Sequence, residues 1–281
     1  MKQISNKRCN IGEGPIWNEK EKLIYFVNGF ENEICTLDLQ TGETVTRKVD
    51  VGVAAIAFTK DFQMIVSRCD GVFILNSDGT TKSLYDTQKY QIKNANDMKV
   101  GPDGRIYVGT QSSKRLKISE EIDGKLYSID KSGNVRTLLD GLLLSNGLDW
   151  SPDGKRFYHT DSVTDIIKEY DFDMESGDIR FTGRQVVSLG ADGFTMDKNG
   201  FLYAASCSHY RINIIDTSSM EIVSHIEMPV RATQSCGFGG EDMQTLVAVT
   251  GSYCVDIEAY PNAGFIYTEK QSIGGIKPYL F

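Results

Sequence analysis

A short apolar strand recurs along this chain at a nearly fixed interval, and that recurrence limits the folds open to it. The segments are Leu23-Ile24-Tyr25-Phe26-Val27, Met64-Ile65-Val66, Ile106-Tyr107-Val108, Phe157-Tyr158, Leu202-Tyr203-Ala204 and Leu246-Val247-Ala248-Val249. Their first residues are 41, 42, 51, 45 and 44 positions apart. Turn sequences such as Pro102-Asp103-Gly104, Pro152-Asp153-Gly154 and Lys198-Asn199-Gly200 stand just before three of them. Further alternating segments follow and end in aspartate turns, as in Ser128-Ile129-Asp130-Lys131-Ser132-Gly133. A period in the forties with room for about four short strands is the signature of a β-propeller blade. No segment keeps a helical 3.6-residue apolar period for long, and 27 glycines against 6 prolines suit many short strands joined by tight turns. The expectation is an all-β protein, a six-bladed β-propeller with residues 1–281 as one domain. Terminal segments, including Gly264-Phe265-Ile266-Tyr267-Thr268, would supply the outer strands that close the ring. A sandwich or barrel would not require the constant period.

Four polar signatures share this register: Glu13-Gly14, Asn96-Asp97, Asn146-Gly147 and Asp192-Gly193, each about ten residues before its apolar strand. Repeat two has Ala54 there, and repeat six has Gln234 or Ser235. The innermost strand of a propeller blade starts at one mouth of the central channel, so side chains at its start converge on the axis. Glu13, Asn146 and Asp192 would bring two carboxylates and an amide oxygen to one point, with Asn96 as a possible fourth group. All-oxygen ligation favours a hard divalent cation. Taken singly, each Asn-Gly or Asp-Gly pair reads as an ordinary turn; the shared register is what argues for a site. The same geometry places Asn28, Arg68, the run from Gln111 to Asp123, Asp161-Ser162 and Cys207-Ser208-His209-Tyr210 on the rim.

Charge and composition remove other classes. The net charge of −8 argues against nucleic acid or an anionic membrane as partner. No run approaches the roughly 20 apolar residues of a membrane span, and Met1 to Lys7 lacks a signal-peptide core. The expected setting is the cytoplasm, as a monomer or weak dimer. The six cysteines lie far apart in sequence and are expected as reduced, mostly buried thiols. No Gly-x-Ser-x-Gly elbow is present and only three histidines exist, which disfavours a serine triad.

The motifs Ile11-Gly12-Glu13-Gly14-Pro15-Ile16-Trp17, Asn96-Asp97-x-Lys99, Ser145-Asn146-Gly147-Leu148-Asp149-Trp150 and Asp192-Gly193-Phe194 resemble those of a known group of propellers. This is the regucalcin (senescence marker protein)/gluconolactonase/luciferin-regenerating enzyme family, and the resemblance extends in order along essentially the whole chain. It implies a propeller holding one divalent cation and hydrolysing sugar lactones. The ion would be calcium in the first instance, with zinc, manganese or magnesium as alternatives. The implied metal ligands are Glu13, Asn146 and Asp192, with Asn96 contacting the substrate or a water on the ion. Asp192 is also the implied catalytic base, although a cation beside it would weaken its basicity.

Three positions depart from the family pattern: Asn94 replaces a substrate-binding arginine, Lys114 replaces a glutamate of the third-blade flap, and Ala191 replaces a proline. Substrate recognition is therefore expected to differ, with Asn94, Asn96, Lys114, Arg115 and His209 as its candidate residues. Lys114, Arg115 and Arg68 together suggest an anionic lactone. The competing expectation is a non-catalytic calcium-binding or regulatory propeller, since the fold also serves as an interaction platform.

Overall fold

The structure is a computed structural model that describes residues 1–113, 122–253 and 255–281. Six four-stranded antiparallel sheets form the blades of a ring. The apolar strands that recur in the sequence are the second strand of each blade: Leu23–Asn28, Met64–Arg68, Ile106–Thr110, Arg156–Asp161, Phe201–Ser206 and Thr245–Thr250. Most of their residues are buried because a neighbouring blade packs on each face. The innermost strands are Gly12–Asn18, Val53–Phe58, Ala95–Val100, Ser145–Trp150, Ala191–Met196 and Thr233–Gly239. No α-helix occurs among the described residues; a single 3-10 turn spans Gly29–Glu31.

The sixth blade takes Ile266–Lys270 as its third strand and Lys2–Gln3 as its outermost strand, with Lys2 opposite Thr268. Joining the two ends of the chain in one sheet leaves no blade open. The stretch after Lys270 then crosses beneath the channel. Its backbone bonds to blade six (Gly275 N to Met243 O, 2.8 Å), blade five (Ile276 N to Met196 O, 3.3 Å) and blade two (Phe281 N to Phe58 O, 3.0 Å). Ile276, Tyr279 and Leu280 pack against three different interblade cores.

The glycines after the polar residues are not turn glycines. Gly147 and Gly193 lie within strands and lack positive φ. A Cβ at Gly147 would stand 2.4 Å from Asp192 O, and one at Gly193 would stand 2.2 Å from Ser235 Oγ. Each glycine lets one inner strand close against the next around the axis. Gly14 differs, with φ +56 at the bulge of the first inner strand.

Candidate functional site

Each inner strand carries a register shift just where its polar residue stands, between Glu13 and Ile16, Ala95 and Met98, Ser145 and Leu148, and Ala191 and Phe194. The extra residue turns a side chain out of the pleat and toward the channel. Glu13, Asn96, Asn146 and Asp192 are thereby delivered at one mouth from four blades. Asn146 and Asp192 are each 7 % exposed, while Glu13, Asn96 and Asp97 are half-buried.

The amides are held in a directed chain. Asn146 Nδ2 donates to Ser162 Oγ (3.0 Å), and Ser162 in turn donates to Ala191 O (2.6 Å). This fixes Asn146 Oδ1 as the acceptor for Asn96 Nδ2 at 3.1 Å, and Asn96 Nδ2 also reaches Ser145 O at 3.0 Å. Ser67 Oγ holds Asn96 O from the neighbouring blade (2.7 Å). Beneath Asn146, Ser145 Oγ bonds His159 Nε2 at 2.7 Å, fully buried. Burial pushes that imidazole down to about 3, so it is neutral.

The carboxylates have no such support. Asp192 Oδ1 is buried with no hydrogen-bond partner. Burial, then the charge of Asp97, raises the Asp192 carboxyl well above the ordinary range. Burial, then Asp192 and then Asp97, raises Glu13. Two carboxyl groups, one of them with a buried orphaned oxygen, and an amide oxygen held in place make a donor set that suits a hard cation. Among the described residues, no three His, Cys, Asp or Glu side chains group as a metal cluster. The arrangement is two carboxylates with amide oxygens, which that grouping does not include. Asp97 accepts from Met98 N at 2.8 Å, and its burial raises it as well.

Several predicted rim residues serve the scaffold instead. Asn28 Oδ1 accepts from Asn10 N (2.9 Å) and its Nδ2 donates to Glu33, while Asp161 caps Leu143 N and Leu144 N. Arg68 is not a free cation: its fork is spent on Asp70 and it stacks on Phe73 with 4.5 Å to the ring. The expectation that it joins in binding an anion is corrected accordingly. His209 is exposed on its turn and pairs with Ser208 Oγ at 2.9 Å. Asn94 is exposed at the mouth in the left-handed conformation (φ +53), its backbone bonded to Cys69 and Gln111. Lys114 and Arg115 lie outside the described residues, as does Cys254. The other five cysteines are free, and Cys69 is exposed rather than buried.

Sequence reasoning missed the Ser145–His159 and Ser162 supports, and it missed the lower half of the channel. There Lys99 Nζ bonds Asp149 Oδ2 (2.7 Å) and Phe194 O (2.8 Å), and Asp149 also accepts from Met196 N (3.1 Å). These groups line a cavity of about 80 Å³ closed from below by Ile276 and Tyr279. Its signal in the sequence is the motif Asn96-Asp97-x-Lys99, which sets a lysine on the same inner strand three residues past Asn96.

Comparison with known proteins bears on the family and the fold. The sequence pattern described as the SMP-30/gluconolactonase/LRE-like region matches residues 11–252. The chain is 29 % identical to the provisionally named sugar lactone lactonase YvrE of Bacillus subtilis, over 99 % of this chain and 97 % of that protein. It is also 29 % identical to regucalcin of Gallus gallus, again over 99 % and 97 %. Among solved structures, a calcium-binding protein, regucalcin from Agrobacterium tumefaciens, superposes with a TM-score of 0.88. That match covers 100 % of this chain and 96 % of the other at 22 % identity, and so bears on the fold alone. No helix among the described residues is long and apolar enough to cross a membrane. The chain belongs to the SMP-30/gluconolactonase/LRE-like family.

Proposed function

We propose that the protein is a divalent-cation-dependent hydrolase that opens a sugar-derived lactone to the free acid. The observation that carries this reading is the buried, unpartnered Oδ1 of Asp192, on the inner strand next to the one whose Asn146 oxygen is held in place by Asn96. Family membership supports lactone hydrolysis in general, and the name of the Bacillus subtilis relative points the same way.

Glu13, Asp192 and Asn146 Oδ1 would hold the cation, with calcium the first candidate. Bound there, the ion would neutralise the two carboxylates and polarise the lactone carbonyl. The remaining work belongs to the chain. Ser162 and Ser145 keep Asn146 and Asn96 in fixed orientations, so the site needs no reorganisation when substrate arrives. Asn96 has its amide nitrogen committed to Ser145 and Asn146, and it offers its oxygen to a lactone hydroxyl. Asp192 takes the proton as water attacks the carbonyl carbon; the ring C–O bond breaks and its oxygen leaves protonated as the free hydroxyl.

The second reading is a calcium-binding propeller without catalysis, in keeping with the name regucalcin of the Gallus gallus relative. Metal-stripped protein, supplied with each cation in turn and followed by pH-stat on a panel of aldono- and uronolactones, separates the two. Cation-dependent acid release that is lost in Asp192→Ala supports the enzyme. Cation binding with no turnover of any lactone supports the alternative.

A further inference from the structure

Glu13 stands apart from the other oxygen donors at the mouth. Asn96, Asn146 and Asp192 come from consecutive blades, the third to the fifth, and their strands are tied together by side chains. Asn96 Nδ2 donates to Asn146 Oδ1 (3.1 Å), and Asn146 reaches Ala191 O, beside Asp192, through Ser162 (3.0 and 2.6 Å). Glu13 comes from blade one. Blade two separates it from Asn96 on one side, and blade six separates it from Asp192 on the other. Blade two has Ala54 in register, whose methyl side chain forms no hydrogen bond. A side-chain link from the Glu13 strand to the rest of the mouth is therefore left to blade six.

Blade six supplies Gln234. Its inner strand, Thr233–Gly239, shifts register between Thr233 and Ser235, so Gln234 occupies a bulge as the polar residues of the other blades do. Gln234 Oε1 accepts from Gly12 N at 3.1 Å, a buried bond from one blade to the next. A backbone N–H faces an acceptor, which fixes the orientation of the amide. Glycine makes room for it: a Cβ at Gly251 would stand 2.3 Å from Gln234 Oε1. Gly12 precedes Glu13, so the bond holds the backbone one Cα step, about 3.8 Å, from the residue that carries the carboxylate. Asn28 Oδ1 steadies Asn10 N (2.9 Å) and Ile11 N (3.3 Å) just before it, but from within blade one. The same strand of blade six also touches the other carboxylate strand. Ser235 Oγ lies 2.2 Å from where a Cβ of Gly193 would be, and Gly193 follows Asp192. Gln234 and Ser235 thus form a spacer between the backbone at Glu13 and the backbone at Asp192.

We propose that Gln234 is a positioning residue: by holding Gly12 N it sets the gap between Glu13 and Asp192, and with it the size of cation that the mouth accepts. The inference rests on the cation reading of that site. Calcium takes oxygens at about 2.3–2.6 Å in a flexible shell, whereas magnesium requires near-octahedral geometry at about 2.0–2.1 Å. A carboxylate that drifts when Gly12 is released therefore costs the small cation more than the large one. A general loss of stability makes no such distinction.

The test measures calcium and magnesium affinity by calorimetry on metal-stripped protein, using the parent, Gln234→Met, Gln234→Glu and Val247→Ala. Gln234→Met keeps the side-chain length and removes the acceptor. Val247→Ala removes buried methyl groups from the second strand of the same blade, opposite Gly237 and Thr268 and away from Gly12. Gln234→Met should weaken calcium binding at least about tenfold, and magnesium binding at least about threefold more than that. Val247→Ala should lower Tm yet stay within about twofold of the parent for both cations. Gln234→Glu keeps an oxygen for Gly12 N and should hold the parent's calcium-to-magnesium ratio, although its charge strengthens the binding of each. A loss in Gln234→Met that matches Val247→Ala, or that is equal for the two cations, would overturn the inference and leave the cation reading in place. A changed ratio in Gln234→Glu would overturn it too, even if Gln234→Met did not fold. A parent that binds no divalent cation removes the cation reading, and this inference with it.

Discussion

The two halves of the channel are built by the same inner strands yet treat buried carboxylates in opposite ways. In the lower half, Asp149 is answered within the chain by Lys99 at 2.7 Å and Met196 N at 3.1 Å. In the upper half, no lysine or arginine pairs with Glu13 or Asp192 among the described residues, and Asp192 Oδ1 has no partner. A protein that can place a lysine three residues from Asn96 could have neutralised the upper pair too. Where charge is satisfied internally, the channel is structural; where it is left open, the cation proposed above would supply the balance.

The largest effect that can break this contrast is on activity. Asp192→Asn should lower kcat by about a thousandfold, the scale of losing one preorganised electrostatic partner, while the protein stays folded. An equal loss in Asp149→Asn would erase the distinction between the halves. Next, the cation should stabilise the protein by about 2.7 kcal/mol at a hundredfold excess over its Kd. This is read as a Tm rise that chelator reverses and that Glu13→Gln abolishes.

In the lower half, Lys99→Met leaves Asp149 buried without its cation and should cost on the order of 2 kcal/mol, given that Lys99 is 30 % exposed. Urea unfolding measures this, and a change below about 0.5 kcal/mol would show that the pair is not structural.

The smallest effects are pH slopes, and they differ in sign. The raised Glu13 and Asp192 carboxyls favour protonation in the folded state. Stripped protein should therefore lose stability as pH rises above about 4, the ordinary carboxylate value. Added cation or Asp192→Asn should flatten that slope. His159 acts in reverse, because its folded value is depressed to about 3. Its contribution is present above the ordinary imidazole value of about 6.5 and is lost as pH falls, with a slope of up to about 1.4 kcal/mol per pH unit. Tm measured from pH 4 to pH 8 in His159→Gln and the parent isolates it.

Much of the fold was legible because period is a one-dimensional property. The second strand of every blade announced itself as an apolar run, since both of its faces are buried. The polar residues were legible as a register, although the glycine after two of them read locally as a turn. Gly147 and Gly193 are in fact fitted to Asp192 O and Ser235 Oγ of the next blade, a contact that no local pattern reports. Arg68 misled for the same reason, because its partner and its stacking ring are set by the hairpin it occupies.

The sequence by itself determined how many blades there are and where oxygen-bearing residues recur in the register of their inner strands. Those follow from spacing and residue type. The tertiary structure alone decided which charges meet. Lys99 and Asp149 come from different blades, and the segment after Lys270 lines the cavity beneath them. Electrostatic pairing depends on distance through space, and in a ring the partners of a charge sit on neighbouring blades some fifty residues away in sequence.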